Sequence, residues 1–517
     1  MNSFSSQSTL APSEHQKEYV ENQIIKFDIP SFYGYVDPRQ SFLRMNIELT
    51  GTAKLQLSKH LGAQSLISAI RIYDHSNSQL LENLENYGEL VKVLNRYGNN
   101  ETLSNQQQLL EAQDKLDKND RLELENALFF NQQGRGDTTA TSLVTTKYLV
   151  NDNKVQVAMK LHSGILGGDK VFPINAFGGL RVEIELNRAE KAIMMADYGK
   201  GVLNDSGVMI VADTHAPTIT LATGAGPKVA LEISGNPDEC PFVVGQKVYF
   251  NNDADAEQSL TITEIKPTGD SATTTLTFAS FSPGATAVGK KVYLKVADIT
   301  GVGFKLSDVE LCLKQVNPPQ SYIDDMVKQM GSDEGLNLDI KTFDLVRNNI
   351  IAGQIVNEQP IRSFSQRVYS VLSLLTLNGS DTIGDDSFRS LTDKLQRYSY
   401  AIDGKKNPNR DVDVELTTRT LVVGTPSTYH INQQAAFELH KSLESCGLTI
   451  RNLPLKSDFL IGRAMGRYGG VYNIKDHNLT LRTQFDSTQK SANILCLNYL
   501  CSLRRLNVSN KGIMVIQ

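Results

Sequence analysis

The residues best suited to hold a metal or attack a substrate in this chain are its eight histidines and five cysteines. The histidines (His15, His60, His75, His162, His215, His430, His440 and His477) are dispersed and lack the i, i+4 pairing that puts two imidazoles on one helical face for zinc. The cysteines (Cys240, Cys312, Cys446, Cys496 and Cys501) are odd in number and include no C-x-x-C pair, which reads as buried free thiols in a reducing compartment. Serine hydrolysis needs a Gly-x-Ser-x-Gly elbow and a phosphate cradle needs Gly-x-x-x-x-Gly-Lys-Ser/Thr; neither occurs. The glycine-rich runs Gly164 to Gly168 and Gly466 to Gly470 lack that spacing and read as corner loops of a sandwich. Asp114, Asp117 and Asp120, and separately Asp253 and Asp255, cluster carboxylates without the sixth-position Gly and closing Glu of a calcium loop, and read as solvated faces. Arg504, Arg505 and Lys511 are too few for a nucleic-acid stripe and read as a charged strand edge that resists aggregation. The 19 Phe and 18 Tyr form no ladder for stacking sugars or bases. The sequence therefore offers no catalytic residue, cofactor-binding residue or metal ligand, and no cofactor is expected.

Elements without a site point to a structural role, and composition agrees. With 517 residues the chain suits two cores plus an insertion. Its 40% hydrophobic and 21% charged residues suit an ordinary globular fold, and a net charge of -5 gives no footprint for nucleic acid. Residues 1–13 lack a basic start and an apolar core, so they are not read as a signal peptide. No stretch is apolar for long enough to span a bilayer.

Residues 1–22 are polar and aperiodic and read either as a flexible arm that orders on assembly or as plain terminal disorder. Ile25, Phe27 and Ile29, then Leu43, Met45, Ile47 and Leu49, alternate with polar residues at the period of a half-buried strand. Pro30 to Pro38, with a proline at each end, reads as a connection crossing an edge. Leu80, Leu84, Tyr87, Val91 and Leu94 predict an amphipathic helix, with Ser76 and Gln79 in capping-box spacing before it. Residues 99–133 predict a partly helical surface segment. Strands return at Val155 to Leu161 and Val182 to Leu186. Between 204 and 300 the composition shifts to Gly, Thr, Ala, Val and Asp, and Val244 to Phe250 is echoed by Val288 to Leu294. These units suggest a small inserted β-barrel or sandwich, or two strands that merely resemble each other. Phe304 to Leu313 gives another strand, Ile323 to Met330 a helix, and Gly331 to Gly335 a linker. In the second half Val368, Val371, Leu372 and Leu375 predict a helix, and Ala435, Leu439 and Leu443 another. Apolar strands close the chain from Ile494 to Ile516. The halves share no residue-level repeat, only an order of elements: strands, a flanking helix, more strands.

Several segments are similar to the double jelly-roll major capsid proteins of tailless icosahedral double-stranded DNA viruses, among them adenoviruses, virophages, polinton-like viruses and nucleocytoplasmic large DNA viruses. They are Leu61-Gly62-Ala63-Gln64-Ser65-Leu66-Ile67 running into Ile70-Arg71-Ile72-Tyr73, Leu81 to Tyr87, and Phe172-Pro173-Ile174-Asn175-Ala176-Phe177-Gly178-Gly179-Leu180 running on to Leu186. In the second half Arg397 to Gly404, leading to Asn407-Pro408, resembles the family's turn. Their order and the total length carry the resemblance, and the 204–300 insertion departs from it. The resemblance implies a mainly β fold of two jelly-roll sandwiches in tandem with helical decorations. The expected units are an arm over 1–22, a first jelly roll over 23–330 interrupted by an inserted β domain at 204–300, and a second over 331–517. It further implies a non-enzymatic structural protein of the virion, made in the host cytoplasm, whose homotrimers form pseudo-hexameric capsomers that tile an icosahedral shell. Neighbouring capsomers, penton proteins and minor capsid or cement proteins are the implied partners, with no sequence-specific nucleic acid. A glycan- or receptor-binding adhesin or fibre is the alternative. It predicts a secretion signal or an aromatic platform, and neither is present. An enzyme is the third option, marked by a cleft of carboxylates or histidines with perturbed pKa.

Overall fold

The structure is a computed structural model. The structure describes residues 5–14, 16–50, 55–57, 61–76, 78–98, 110–111, 154–195, the strands between 202 and 295, 303–377, 395–414, 432–448, 460–466, 470–485, 493–509 and 512–516.

Alternating burial builds the first sandwich. Its strands are β1 (Ser5–Leu10), β2 (Tyr19–Val20), β3 (Ile24–Pro30), β4 (Tyr35–Val36), β5 (Phe42–Thr50), β6 (Leu55–Leu57), β7 (Ile67–Asp74) and β8 (Leu80–Glu85), followed by helix α1 (Tyr87–Gly98). Next come β9 (Lys154–Met159), β10 (Phe172–Pro173), β11 (Gly179–Leu186), the short helix α2 (Ala189–Ala192) and β12 (Ile193–Met195). After the insertion, β21 (Gly303–Val316) completes it. Ile25, Phe27 and Ile29 of β3, Leu43, Met45, Ile47 and Leu49 of β5, and Leu180, Val182 and Ile184 of β11 are all buried, as a pleat with one face on the core requires. One sheet runs β21–β5–β9, with β1 and β2 both on the other edge of β21; its partner runs β3–β11–β7–β8.

After helix α3 (Gln320–Met330), the second sandwich comprises β22 (Leu336–Ile350), β23 (Val356–Ile361), β24 (Val368–Leu377), β25 (Leu395–Ile402), β26 (Lys405–Asp413), α4 (Gln433–Ser445), β27 (Ile461–Ala464), β28 (Leu479–Phe485), β29 (Ile494–Ser509) and β30 (Gly512–Ile516). Its sheets run β22–β29–β24–β27 and β23–β28–β25–β26, with β30 on β29. Numbered in order within each sandwich, with β1 and β2 together as the first strand and the two- and three-residue strands β4, β6, β10 and β12 and the added β30 left out of the count, both sandwiches read first–eighth–third–sixth in one sheet and second–seventh–fourth–fifth in the other. That strand order is a jelly roll, and the chain contains it twice. A helix follows the fifth strand in each copy.

The insertion occupies the connection from the seventh strand, β11, to the eighth, β21. Its strands are β13 (Val202–Leu203), β14 (Val208–Ile210), β15 (Ile219–Thr223), β16 (Val229–Ser234), β17 (Lys247–Asn251), β18 (Glu257–Pro267), β19 (Thr273–Phe278) and β20 (Val292–Lys295). They form one eight-stranded sheet in the order β13–β14–β20–β17–β18–β19–β16–β15. The two echoed segments are antiparallel neighbours in it, pairing Tyr249 with Tyr293 and Phe250 with Val292. Leu231, Ile233, Val248, Phe250, Ile262, Leu276, Phe278 and Val292 are buried in it.

Four local expectations differ from the structure. The flexible arm contains the first strand of the first jelly roll. β1 pairs residue by residue with β21 from Ser5↔Val316 to Leu10↔Leu311, and Ser6 and Ser8 donate hydroxyls to Gln315 Oε1 at 3.1 and 3.2 Å. Backbone pairing, which has no side-chain period, holds this polar strand. The helix read from Leu80 starts at Tyr87, because Leu80 to Glu85 pair with β7. Ser76, Ser78 and Gln79 serve a turn instead of a cap, with the backbone N–H groups of Ser78 and Gln79 donating to the Asp74 carboxylate at 2.8 and 2.9 Å. Val368 to Leu375 is strand β24, whose central residues are buried on both faces, so no alternation shows. Pro30 to Pro38 holds β4, a two-residue strand between β21 and β10. Of residues 99–133, only Leu110 and Glu111 are among the described residues.

Candidate functional site

The two jelly rolls meet where the edge strand β8 of the first approaches β22, the edge strand of the second. Glu82 points inward from β8 and is fully buried. Its carboxylate accepts from Ser163 Oγ (2.5 Å), the N–H groups of Gly164 (2.7 Å) and Ile165 (3.3 Å), and Thr342 Oγ1 across the seam (2.8 Å). A buried carboxylate is costly unless its lone pairs are met, and these four donors meet them. Gly164 is required here by space: a Cβ would lie 2.3 Å from the Lys341 carbonyl oxygen of the second jelly roll.

The second jelly roll reaches back with Arg504 of β29, which is 3% exposed. Its guanidinium donates to the Leu81 carbonyl at 2.8 Å and to Asp344 Oδ1 at 2.5 Å. Asp344 Oδ2 also accepts from Ser365 Oγ (2.7 Å) and Ser502 Oγ (2.8 Å). Tyr499 OH donates to the Asn86 carbonyl at 3.0 Å, and burial pushes this phenol well above its ordinary pKa. At the rim Arg347 pairs with Glu85 at 2.8 Å. Breaking one partner of a buried ion pair costs about 3–5 kcal/mol, whereas the intact pair chiefly specifies geometry. With its oxygens occupied by protein donors, this network leaves no open position for a substrate or metal. What it can do is fix the angle between two sandwiches.

Two further polar clusters flank the seam. Asp339 of β22 accepts from Arg505 at 2.9 Å and Arg367 at 2.9 Å. The Arg505 hydrogen bond, against the effect of burial and aided by Arg367, holds its carboxyl below the usual range. Inside the first jelly roll Tyr87 OH donates to Gln64 Oε1 (3.0 Å) and accepts from the His162 N–H (2.8 Å). Beside them burial pushes Glu111 up to about 7, opposed by Gln64 and Lys160, and pushes His162 down to about 4, helped by Lys160.

Of the residues with chemical potential in the sequence, Arg504 and Arg505 do not make a charged edge: one is buried in the seam and the other paired with Asp339. Lys511, Asp114, Asp117, Asp120, Asp253, Asp255, Cys240, His15, His60, His215 and His430 lie outside the described residues. Cys312, Cys446, Cys496 and Cys501 are buried free thiols. His477 pairs with Asp403 at 2.6 Å on an exposed hairpin. Among the described residues no three His, Cys, Asp or Glu side chains gather as a metal site, and no helix is long and apolar enough to cross a membrane. The seam residues were not singled out from sequence. The available signals were Glu82 within Leu81-Glu82-Asn83-Leu84 and Arg504 inside a long apolar strand.

No family model matches the sequence, and a search of curated proteins found no match. Among solved structures, the major capsid protein of Faustovirus superposes with a TM-score of 0.53 at 8% identity, covering 98% of this chain and 91% of that one. PBCV-1 VP54, fitted into a reconstruction of the virophage Sputnik, gives 0.48 at 8% identity over 100% and 98% of the two chains. The mavirus major capsid protein gives 0.44 at 10% identity over 98% and 89%. The first of these likenesses shows that the chain has a double jelly-roll fold.

Proposed function

We propose that this chain is a non-enzymatic major capsid protein, whose homotrimers form pseudo-hexagonal capsomers that tile an icosahedral virion shell. The observation that carries this reading is a pair of jelly rolls of identical strand order, held at one angle by the buried seam of Glu82, Arg504 and Asp344. Three such chains around a threefold axis present six alike sandwiches, which lets a threefold object fill a sixfold lattice position. The shared fold with the Faustovirus major capsid protein supports the same role. In this reading 23–330 and 331–517 are the two structural units, joined by β1 and β2 from the first 22 residues. The insertion at 204–300, rooted between β11 and β21, forms a tower on the outside of the shell. Contacts between capsomers, and with penton and minor capsid proteins, then carry the function, inside the virion and without sequence-specific nucleic acid.

Light scattering coupled to gel filtration, followed by negative-stain imaging of the peak, tests this. A stable trimer with a hexagonal outline is the expected result. A monodisperse monomer would overturn it and favour a glycan- or receptor-binding adhesin.

A further inference from the structure

The buried thiols of the second jelly roll differ in what they touch. Cys496 bonds to Asn498 Oδ1 at 3.6 Å, and burial pushes it up to about 12. Cys446, at the C-terminal end of α4, instead meets another cysteine. The β24–β29 register sets Ser370 opposite Cys501, and the end of α4 lies over that pair. Cys446 Sγ is 2.8 Å from Ser370 Oγ, which puts it beside Cys501, the cross-strand partner of that serine. Lys341, from the adjoining β22, donates to the Cys446 carbonyl at 2.6 Å. The helix rides directly on β27: a Cβ at Gly462 would lie 2.0 Å from Ser442 Oγ. Cys446 is 5% exposed and Cys501 fully buried, so only a small reagent reaches them, and through Cys446 first.

We infer that Cys446 and Cys501 are a dithiol that a peroxide oxidant closes into a disulfide, tying the end of α4 to β29. The inference concerns the second jelly roll alone and stands apart from the capsid reading. The electrostatics favour Cys446 as the first to react. Burial raises its pKa, but hydrogen bonds from Cys501 and Ser370 and the Lys341 ammonium outweigh it and hold the thiol below its ordinary value. The hydrogen bond to Cys446 and burial push Cys501 well up. The Cys446 thiolate attacks one peroxide oxygen, the O–O bond breaks, and a sulfenic acid forms as hydroxide leaves and takes up a proton. The Cys501 sulfur then displaces the sulfenic oxygen, which departs as water with the Cys501 proton. Two thiols and one hydrogen peroxide thus give one disulfide and two waters. The new bond restricts the unfolded chain between 446 and 501, so the oxidised form melts higher.

The test uses the full-length protein, reduced and then exposed to hydrogen peroxide, denatured, alkylated and mapped by mass spectrometry. The expected result is loss of alkylation at Cys446 and Cys501, with recovery of a peptide pair joined through them and lighter by two hydrogen atoms. Alkylation at Cys496 should persist. The melting temperature of the second jelly roll should rise by about 5 °C and return on reduction. Cys496→Ala should keep the shift and Cys446→Ser lose it. Because the wild-type map decides, the answer does not depend on a variant folding. Full alkylation of both cysteines after peroxide, or Cys446 driven to sulfinic acid with Cys501 still free, overturns the inference.

Discussion

In the second jelly roll the first strand is one piece: β22 follows β29 for fifteen residues, from Leu336↔Val508 to Ile350↔Ile494. In the first jelly roll the same place is filled by two fragments, β1 and β2, which touch β21 at Leu311 to Val316 and at Lys305 to Leu306. The flanking helices differ the other way. α4 buries one face through Ala435, Leu439 and Leu443 and leaves Phe437 exposed under Lys441. α1 buries residues around its whole circumference, Lys92 and Asn95 included. The first sandwich thus has the weaker sheet edge and the more enclosed helix, and it meets the second through Glu82 and through the Asn86 carbonyl beside α1. One strand order tolerates either construction, and the first jelly roll, with its fragmented edge strand, is the one expected to depend more on the seam.

The strongest way to break that relation is Arg504→Ala. It strands the Asp344 carboxylate in the seam and leaves the Leu81 carbonyl without its donor, at an expected cost of about 3–5 kcal/mol. Differential scanning calorimetry should then resolve two transitions, with the first jelly roll melting first. A single transition at the wild-type temperature would show that the seam does not couple the sandwiches.

Deleting residues 1–12 probes the fragmented strand. Losing β1 exposes the β21 edge from Leu311 to Val316, costs about 2 kcal/mol and leaves a template for strand addition. Light scattering should show concentration-dependent aggregation that the same removal from a continuous strand such as β22 could not match without unfolding the domain. A truncated chain as stable and monodisperse as the intact one would mean that β1 is dispensable to the sheet.

How much of this was legible depended on whether the information was local. The period-two burial of β3, β5 and β11 and the stripe of α4 were visible, because each follows from one face meeting one core. β24 was misread because α4 covers its second face and erases the alternation. β1 was missed because Ser5 to Thr9 have no apolar side chain to alternate, and the ladder that orders them is more than 300 residues away. The seam is the extreme case, since Arg504 and Leu81 stand 423 residues apart. Glu82 and Arg504 are charges set in apolar strands, and such residues need a partner the local sequence does not name. The jelly-roll repeat was legible only as an order of elements, because sheet order constrains burial and turns without constraining residue identities.

The gentlest probe of the comparison is pH, to which the buried groups of the two sandwiches should respond in different windows. Asp339 in the second has a folded pKa below its ordinary 3.8. Its contribution is fully present above the unfolded value and is lost as pH falls below about 4 through the depressed folded value. Glu111 in the first has a folded pKa of about 7 against an ordinary 4.5. The folded state therefore holds a proton the unfolded state has released, which removes about 2 kcal/mol as pH rises from 5 to 7, but beside it His162, with a folded pKa of about 4 against an ordinary 6.5, restores a similar amount over the same window. Thermal melts of Arg504→Ala, in which the transitions are separated, should therefore show both nearly level over that window, the first because its two buried groups offset each other. Glu111→Gln removes one side of that balance, so the first transition should rise from pH 5 to 7 through His162 while the second stays untouched. If the first transition stays level in Glu111→Gln, this carboxyl does not carry the proton, and the contrast between the sandwiches does not rest on it.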